Sequence, residues 1–175
     1  MLTVKASLYF YKTYIRPMIE YADVVCSYLP QSQVDRLERF QLKTARIILR
    51  LPLYSHVSHS HLLTSLNLPS LSSRRSYHLA ILAYRIKKKT AAKHLVKTSF
   101  GTCTQPYKLR QAQTSNTPIP SIQLYLESPL FKSTTVFDSV PLSVQSLTSF
   151  SKFKCEAFKH ILTTNCPCLK YPYYY

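Results

Sequence analysis

Basic side chains recur at a regular spacing between residues 36 and 50 and could bind phosphate groups by charge. The row consists of Arg36, Arg39, Lys43, Arg46 and Arg50, at intervals of three, four, three and four residues. Such intervals place all five cations on one side of a helix with 3.6 residues per turn. At about 1.5 Å of rise per residue the row is about 21 Å long, so it could contact several phosphates of a duplex.

The opposite side of the same predicted helix is apolar or neutral and is expected to pack against the rest of the protein. It is formed by Val34, Leu37, Gln41, Thr44, Ile48 and Leu51. Asp35 and Glu38 lie close enough to the row to neutralise part of its charge. The cationic side is therefore either a contact surface for a polyanion or a solvated surface with two acidic partners.

The net charge of the chain favours the first interpretation, a contact surface for a polyanion. The chain has 23 Lys and Arg against 7 Asp and Glu, and its net charge is +16. Residues 1–100 hold sixteen cations and four acids, a net charge of +12. A field of this sign attracts polyanions, and nucleic acid is the first candidate. Further candidate contacts are Arg74, Arg75, Lys87, Lys88 and Lys89, with Lys108 and Arg110 later in the chain.

Scarce residue types exclude several classes of enzyme. Gly101 is the only glycine, so no Walker loop, G-x-G-x-x-G turn or G-x-S-x-G nucleophile elbow can be formed. The few carboxylates leave little material for acid–base catalysis. Cys155, His160, Cys166 and Cys168 match no common zinc spacing. We therefore expect no metal, no cofactor and no catalytic residue in this chain.

Targeting signals are not evident in the sequence. No apolar run reaches the 18 or so residues of a membrane span. Lys5, Lys12 and Arg16 interrupt the first apolar stretch, unlike the core of a signal peptide. We expect a protein of the nucleus or cytoplasm that is neither secreted nor membrane-bound, with its five cysteines as reduced thiols.

Apolar periodicity predicts a mainly α-helical fold, a bundle of about four or five helices with a short irregular or β segment near the C-terminus. A first helical segment at residues 2–28 should be kinked or split at Pro17, with Arg16 extended. Further helices are predicted at 32–51 with Ser32 as its cap, at 58–66, at 71–89 and from Ser149 onward. The stretch from Ile122 to Phe137 favours β-structure.

Composition predicts four divisions of the chain. They are a basic helical domain (1–97), a linker or long loop (98–120), a small mixed subdomain (121–165) and a frayed tail (166–175). Tyr77 and Tyr84 lie in the basic helical domain and could stack on bases, but their helical spacing favours places in the core.

Four blocks of sequence resemble the region downstream of the polymerase domain in non-LTR (LINE-type, jockey-like) retrotransposon reverse transcriptases. Residues 8–22, LYFYKTYIRPMIEYA, resemble the family's LYKTYIRPxLEYA stretch, and residues 37–41, LERFQ, with Ala45 and Arg46 resemble its next helix. Residues 66–71, LNLPSL, with Arg74 and Arg75 resemble LGLPSL…RR. Residues 137–141, FDSVP, followed by Ser149-Phe150 and Phe153-Lys154, resemble the closing WNSLP…S…FK. The resemblance implies a thumb-like role for residues 1–97.

The resemblance also bears on catalysis. Tyr21-Ala22-Asp23 is similar to the start of the polymerase active-site box, but Val24 follows where a second aspartate is needed to hold the metal ions. This chain would then be a fragment of an RNA-directed DNA polymerase that lacks the catalytic palm. Its expected role is sequence-independent binding of RNA, DNA or their hybrid, beside an upstream polymerase domain. The alternatives are a structural, RNA-associated basic helical protein, or a decayed element product without activity.

Overall fold

The computed structural model of this chain describes residues 3–25, 29–52, 56–95 and 128–165, which are mainly helical and contain no β-strand. The elements, in chain order, are α1 (Val4–Phe10), a π-turn (Tyr11–Ile15), α2 (Arg16–Glu20), α3 (Gln31–Ile48), α4 (His59–Ser65), α5 (Leu71–Lys87), α6 (Pro129–Asp138), α7 (Leu142–Gln145) and α8 (Phe150–Asn165). The predicted mainly α fold is confirmed, although the described residues form more helices than the four or five expected.

Pro17 lies within a continuous helical segment that runs from Val4 to Glu20. Arg16 has φ −59° and ψ −45°, so the extended conformation predicted for it was wrong. The turn before the proline is a π-turn, in which the Arg16 N–H donates to the Tyr11 carbonyl five residues back. The wider turn makes room for a proline ring that would clash with the preceding turn of a regular α-helix.

Predicted β-structure between Ile122 and Phe137 was wrong where the structure describes this stretch, because Pro129–Asp138 form α6. Ser128 Oγ accepts a hydrogen bond from the Phe131 N–H (3.2 Å), and Pro129 occupies a first-turn position where its missing N–H costs nothing. This local cap outweighs the strand preference of the β-branched residues that follow. Residues 122–127 lie outside the described residues.

The two ends of α3 also differ from the prediction. The helix begins at Gln31 after Pro30, whose side chain makes no capping hydrogen bond, and Ser32 lies inside the first turn. It ends at Ile48, before the predicted Leu51. Arg50 therefore lies beyond the helix, and only four of the five cations in the row are carried by α3.

Three helices end in the same hydrogen-bonded motif, with a non-glycine residue in the left-handed conformation. After α3, α4 and α5 these residues are Arg50 (φ 56°), Asn67 (φ 49°) and Lys89 (φ 56°). After α5, the Lys89 N–H donates to the Ile86 carbonyl and the Thr90 N–H donates to the Arg85 carbonyl. This pair of bonds is the Schellman motif, which satisfies carbonyls that the helix leaves open and normally uses glycine.

Replacing Lys89 by glycine is expected to stabilise the protein by about 1 kcal/mol, because the left-handed conformation crowds a Cβ atom. Lys89→Ala is the matched control, since it removes the same charge but keeps the Cβ atom. Chemical denaturation measures both variants. A glycine variant no more stable than the alanine variant would show that the left-handed conformation at residue 89 is not strained.

The chain forms two compact units. The first runs up to Arg75 and also includes the end of α8 from Ile161, and the second is Ser76–His160. The core of the first unit is formed by Tyr11, Ala45, Ile48, Leu62, Leu66 and Leu68. The core of the second is formed by Ala83, Tyr84, Phe137, Phe153 and Ala157.

The four divisions suggested by composition stay a prediction. The proposed linker (98–120) and tail (166–175) lie outside the described residues. At the other end of the described chain, the helix expected from Ser149 is present as α8, with Phe153, Ala157 and Ile161 buried as its apolar spacing predicts.

Candidate nucleic-acid interface

The buried side of α3 sets which of its residues face solvent. Gln41, Ala45 and Ile48 are buried. Gln41 Nε2 donates to the carbonyl of Pro69 (3.0 Å), which ties the middle of α3 to the segment between α4 and α5. A buried hydrogen bond of this kind, together with the apolar contacts, fixes the rotation of the helix about its axis.

Three cations of the row are exposed on the other side of α3. They are Arg36, Arg39 and Lys43. Arg46 is half-buried, and Arg50 is exposed beyond the end of the helix. The Arg50 N–H donates to the Ile47 carbonyl, so its backbone belongs to the motif that closes α3. The row predicted from the sequence is therefore three exposed cations on α3, a half-buried Arg46 and a separate Arg50.

Both carboxylates near the row have partners other than its cations. Asp35 Oδ1 accepts a hydrogen bond from Gln31 Nε2 (2.8 Å). Glu38 Oε1 accepts one from the Ser72 backbone N–H (2.8 Å), in the first turn of α5. A carboxylate at a helix N-terminus is stabilised by the helix dipole. Neither carboxylate is therefore bonded to Arg36, Arg39 or Lys43, whose side chains stay accessible on this face.

Apolar side chains lie among the cations of α3, a feature that the charge pattern did not predict. Phe40 and Ile47 are exposed, seven residues apart and so on the same face of the helix as Lys43. The signal was present in the sequence, because both residues fall on the cationic side of the helical periodicity. The face is therefore a mixed cationic and apolar surface.

Arg74 is held in an internal ion pair within the first unit. Its Nη2 lies 2.8 Å from Glu20 Oε2, and its Nε also donates to Glu20 Oε1. Arg16 Nε lies 3.8 Å from the same carboxylate. The bidentate geometry makes Arg74 a structural link between α2 and α5. Arg75 is half-buried and lines a cleft that also contains Asp23.

Burial perturbs three titratable groups on the first helical segment. It raises the pKa of the Tyr11 hydroxyl to about 12, against an opposing effect of Arg16. Burial and the nearby Arg16 both lower the pKa of Lys12. Burial also lowers the pKa of Arg16, followed by the effect of Arg74. Burial is the largest cause of each pKa shift, and a neighbouring arginine adds to the lowered pKa of Lys12 and of Arg16.

Two lysines at the end of α5 contact aromatic rings of the second unit. Lys87 Nζ lies 4.8 Å from the centre of the Phe137 ring, and Lys88 Nζ lies 5.8 Å from that of Tyr84. Lys89 is exposed in its left-handed conformation. Cation–π contacts of this kind stabilise the fold and hold the ammonium groups near the protein. Lys87 and Lys88 are nevertheless exposed, so their role as phosphate contacts stays a prediction.

Tyr77 and Tyr84 are core residues, as their spacing favoured. Both are buried. The Tyr84 ring stacks on Phe153 with 4.0 Å between centroids, and its hydroxyl donates to the Leu147 carbonyl (2.8 Å). A ring enclosed in this way has no free face for a base. The two tyrosines that the sequence offered as stacking candidates are thus part of the core.

Catalytic and metal-binding groups do not gather in the part of the chain that the structure describes. Asp23 is buried in the turn after α2, followed by Val24 as the sequence shows. Within the described ranges no three His, Cys, Asp or Glu side chains lie close enough to hold a metal ion. Cys155 is a free thiol, while Cys166 and Cys168 lie outside those ranges, as do Lys108 and Arg110.

Neither a membrane span in the described residues nor a similar known protein identifies a role for this chain. Across the described helices, none combines the length and apolar character needed to cross a bilayer. Comparison with protein-family models, with curated proteins and with solved structures finds no match to this chain. The candidate interface therefore rests on the geometry and charge of α3 itself.

Proposed function

We propose that the first unit binds nucleic acid through phosphate contacts along the exposed side of α3, without reading base sequence. The observation that carries the proposal is the set of exposed cations Arg36, Arg39 and Lys43, whose neighbouring carboxylates are engaged elsewhere. Arg50 and the half-buried Arg46 extend this surface. Guanidinium and ammonium groups in a row neutralise successive phosphates and release counterions, which is the main source of sequence-independent affinity.

We further propose that the chain is the post-polymerase part of a LINE-type reverse transcriptase. Support comes from contacts between the blocks of sequence that resemble this family. Glu20 of the first block pairs with Arg74 of the third, and Gln41 of the second donates to Pro69 of the third. Position 67, where the family often has glycine, is left-handed. The shared residues are thus the ones on which the first unit depends structurally.

The fourth block has an equivalent role in the second unit. Phe137 and Phe153 are fully buried there, and Phe153 packs against Tyr84. These residues form part of a scaffold, and the activity that we propose for the chain is the holding of a polyanion. Polymerisation itself would need the metal-binding carboxylates of an upstream polymerase domain, which is the proposed protein partner.

Salt dependence tests the proposal. If three to five phosphates are neutralised, a plot of log K against log salt for a duplex should have a slope of about −2.7 to −4.5. The measurement is fluorescence anisotropy of labelled duplexes titrated with the full chain over a range of salt concentrations. Duplexes of unrelated sequence should give the same affinity within error, since phosphate contacts carry no base information.

Three results would argue against this function. Affinity that does not depend on salt would show that the cations of α3 are only solvated. Strong preference for one duplex sequence would show direct base readout, which the proposal excludes. Absence of any binding by a folded chain would favour the decayed or purely structural protein.

A further inference from the structure

A row of exposed, mostly aromatic side chains lies along the first helical segment of the same unit. It consists of Phe10, Tyr14 and Met18, and Tyr21 is exposed just after the end of α2. Phe10 and Tyr14 are 51% and 64% exposed, and their rings already stack on each other with 5.0 Å between centroids and 29° between planes. Soluble proteins seldom expose contiguous apolar side chains of this size without a binding partner.

The π-turn contributes to this arrangement. Tyr14 lies inside the turn, and Phe10 directly precedes it. The extra residue in a π-turn rotates everything after it by about one residue position, about 100°, relative to a regular α-helix. Met18 then continues the row of Phe10 and Tyr14 on the solvent side, while Tyr11 remains buried on the other. Single π-turns are frequent at functional sites.

Charge decides what kind of molecule would cover the row. The described residues of the first unit include ten Lys and Arg against four carboxylates. Those four are engaged or buried: Glu20 pairs with Arg74, Asp23 is buried, Asp35 accepts from Gln31 and Glu38 accepts from the Ser72 N–H. The first unit that carries the row is therefore positive as a whole, which suits a polyanion.

We propose that this aromatic row binds unpaired bases of a single-stranded nucleic acid, by stacking on the exposed faces of Tyr14 and Phe10. The inference rests on the proposed function, because the phosphates of the same strand would be held by the cations of the first unit. Single-stranded nucleic acid combines negative charge with flat apolar faces that a duplex hides in its own stack. Aromatic stacking is tolerant of sequence, in keeping with the absence of base readout.

Tyr14→Ala tests the inference. The affinity for a labelled oligothymidine should fall about 5- to 100-fold, while the slope of log K against log salt stays unchanged, because no phosphate contact is lost. Tyr14→Phe is the matched control and should keep the affinity, since it retains the ring. Affinity for a duplex of the same length should be the same in all three proteins. Circular dichroism confirms that the variants are folded.

Three outcomes would overturn the inference, and they are distinguishable from failure of the proposed function. Binding of oligothymidine by the wild type with no loss in folded Tyr14→Ala would remove the stacking role but leave phosphate binding intact. An equal loss for the duplex would show an indirect effect on the first unit. Loss of self-association in Tyr14→Ala without loss of oligothymidine affinity, measured by sedimentation, would show that the row contacts a second protein chain. Failure of the wild type to bind either nucleic acid would remove both proposals.

Discussion

The triple variant Arg36→Gln, Arg39→Gln, Lys43→Gln should bind a duplex about 500-fold more weakly than the wild type at 0.1 M salt. Each neutralised phosphate contributes about 0.9 to the slope of log K against log salt. Removal of three contacts should therefore make the slope less steep by about 2.7, and the two proteins should converge near 1 M salt, where the charge contribution is lost. Anisotropy titrations over this range measure both quantities.

Arg36, Arg39 and Lys43 can be replaced with little effect on folding because their side chains are exposed. Each side chain is exposed, so replacement by glutamine should change stability by no more than about 0.5 kcal/mol. The matched control replaces the exposed lysines 5, 93 and 152 by glutamine, which removes the same charge from positions outside α3. A local contact surface predicts a much smaller change in the control. Equal slopes in the two triple variants would instead indicate that only net charge matters.

The second large effect is expected at the ion pair between Glu20 and Arg74. Glu20→Ala should lower the free energy of unfolding by about 3 to 5 kcal/mol, because it leaves Arg74 and Arg16 without the carboxylate that they share in a nearly buried site. The side chains of Glu20 and Arg74 are only 13% and 12% exposed. Urea denaturation followed by circular dichroism measures the loss.

Glu156→Ala is the control for that variant. Glu156 pairs with Lys159 at 3.0 Å, but both side chains are more than 40% exposed. An exposed pair is worth about 0 to 1 kcal/mol, so the control should be nearly as stable as the wild type. If Glu20→Ala lost no more stability than Glu156→Ala, the pairing of Glu20 with Arg74 would not be an important link in the first unit.

The α3 triple variant tests residues that face solvent, whereas Glu20→Ala tests a residue that holds the first unit together. Glu20, Gln41, Pro69 and Arg74 belong to blocks that resemble a known family, and their contacts hold the first unit together. Arg36 and Lys43 lie outside such contacts and face solvent. The family proposal rests on the structural residues of those blocks. The binding proposal instead depends on the charge of α3, which has to be tested separately.

Much of the helical architecture was predictable because it depends on local patterns. The apolar spacing in α3, α5 and α8 and the break around Pro69 all follow from residues a few positions apart. The failures were also local in origin. At Pro17 a π-turn accommodates the proline, and at Ser128 a cap favours α6 over a strand. Both depend on geometric details that periodicity does not encode.

The candidate interface was predictable only in part. The sequence places five cations at helical spacing, but α3 ends before Arg50, and Arg46 is half-buried. The sequence also could not show that Glu38 accepts a hydrogen bond from Ser72, since that contact spans 34 residues. Arg74 appeared as a free cation for the same reason, because its partner Glu20 lies 54 residues away.

By itself the sequence determined the helical character of this protein, its positive charge and the spacing of the cations on α3, because these are properties of composition and of neighbouring residues. Tertiary structure alone decided which charges remain available. It paired Arg74 with Glu20, placed Glu38 at the start of α5, buried Tyr77 and Tyr84 and left Tyr14 exposed. The physical reason is that pairing and burial depend on contacts between distant parts of the chain, which only packing brings together.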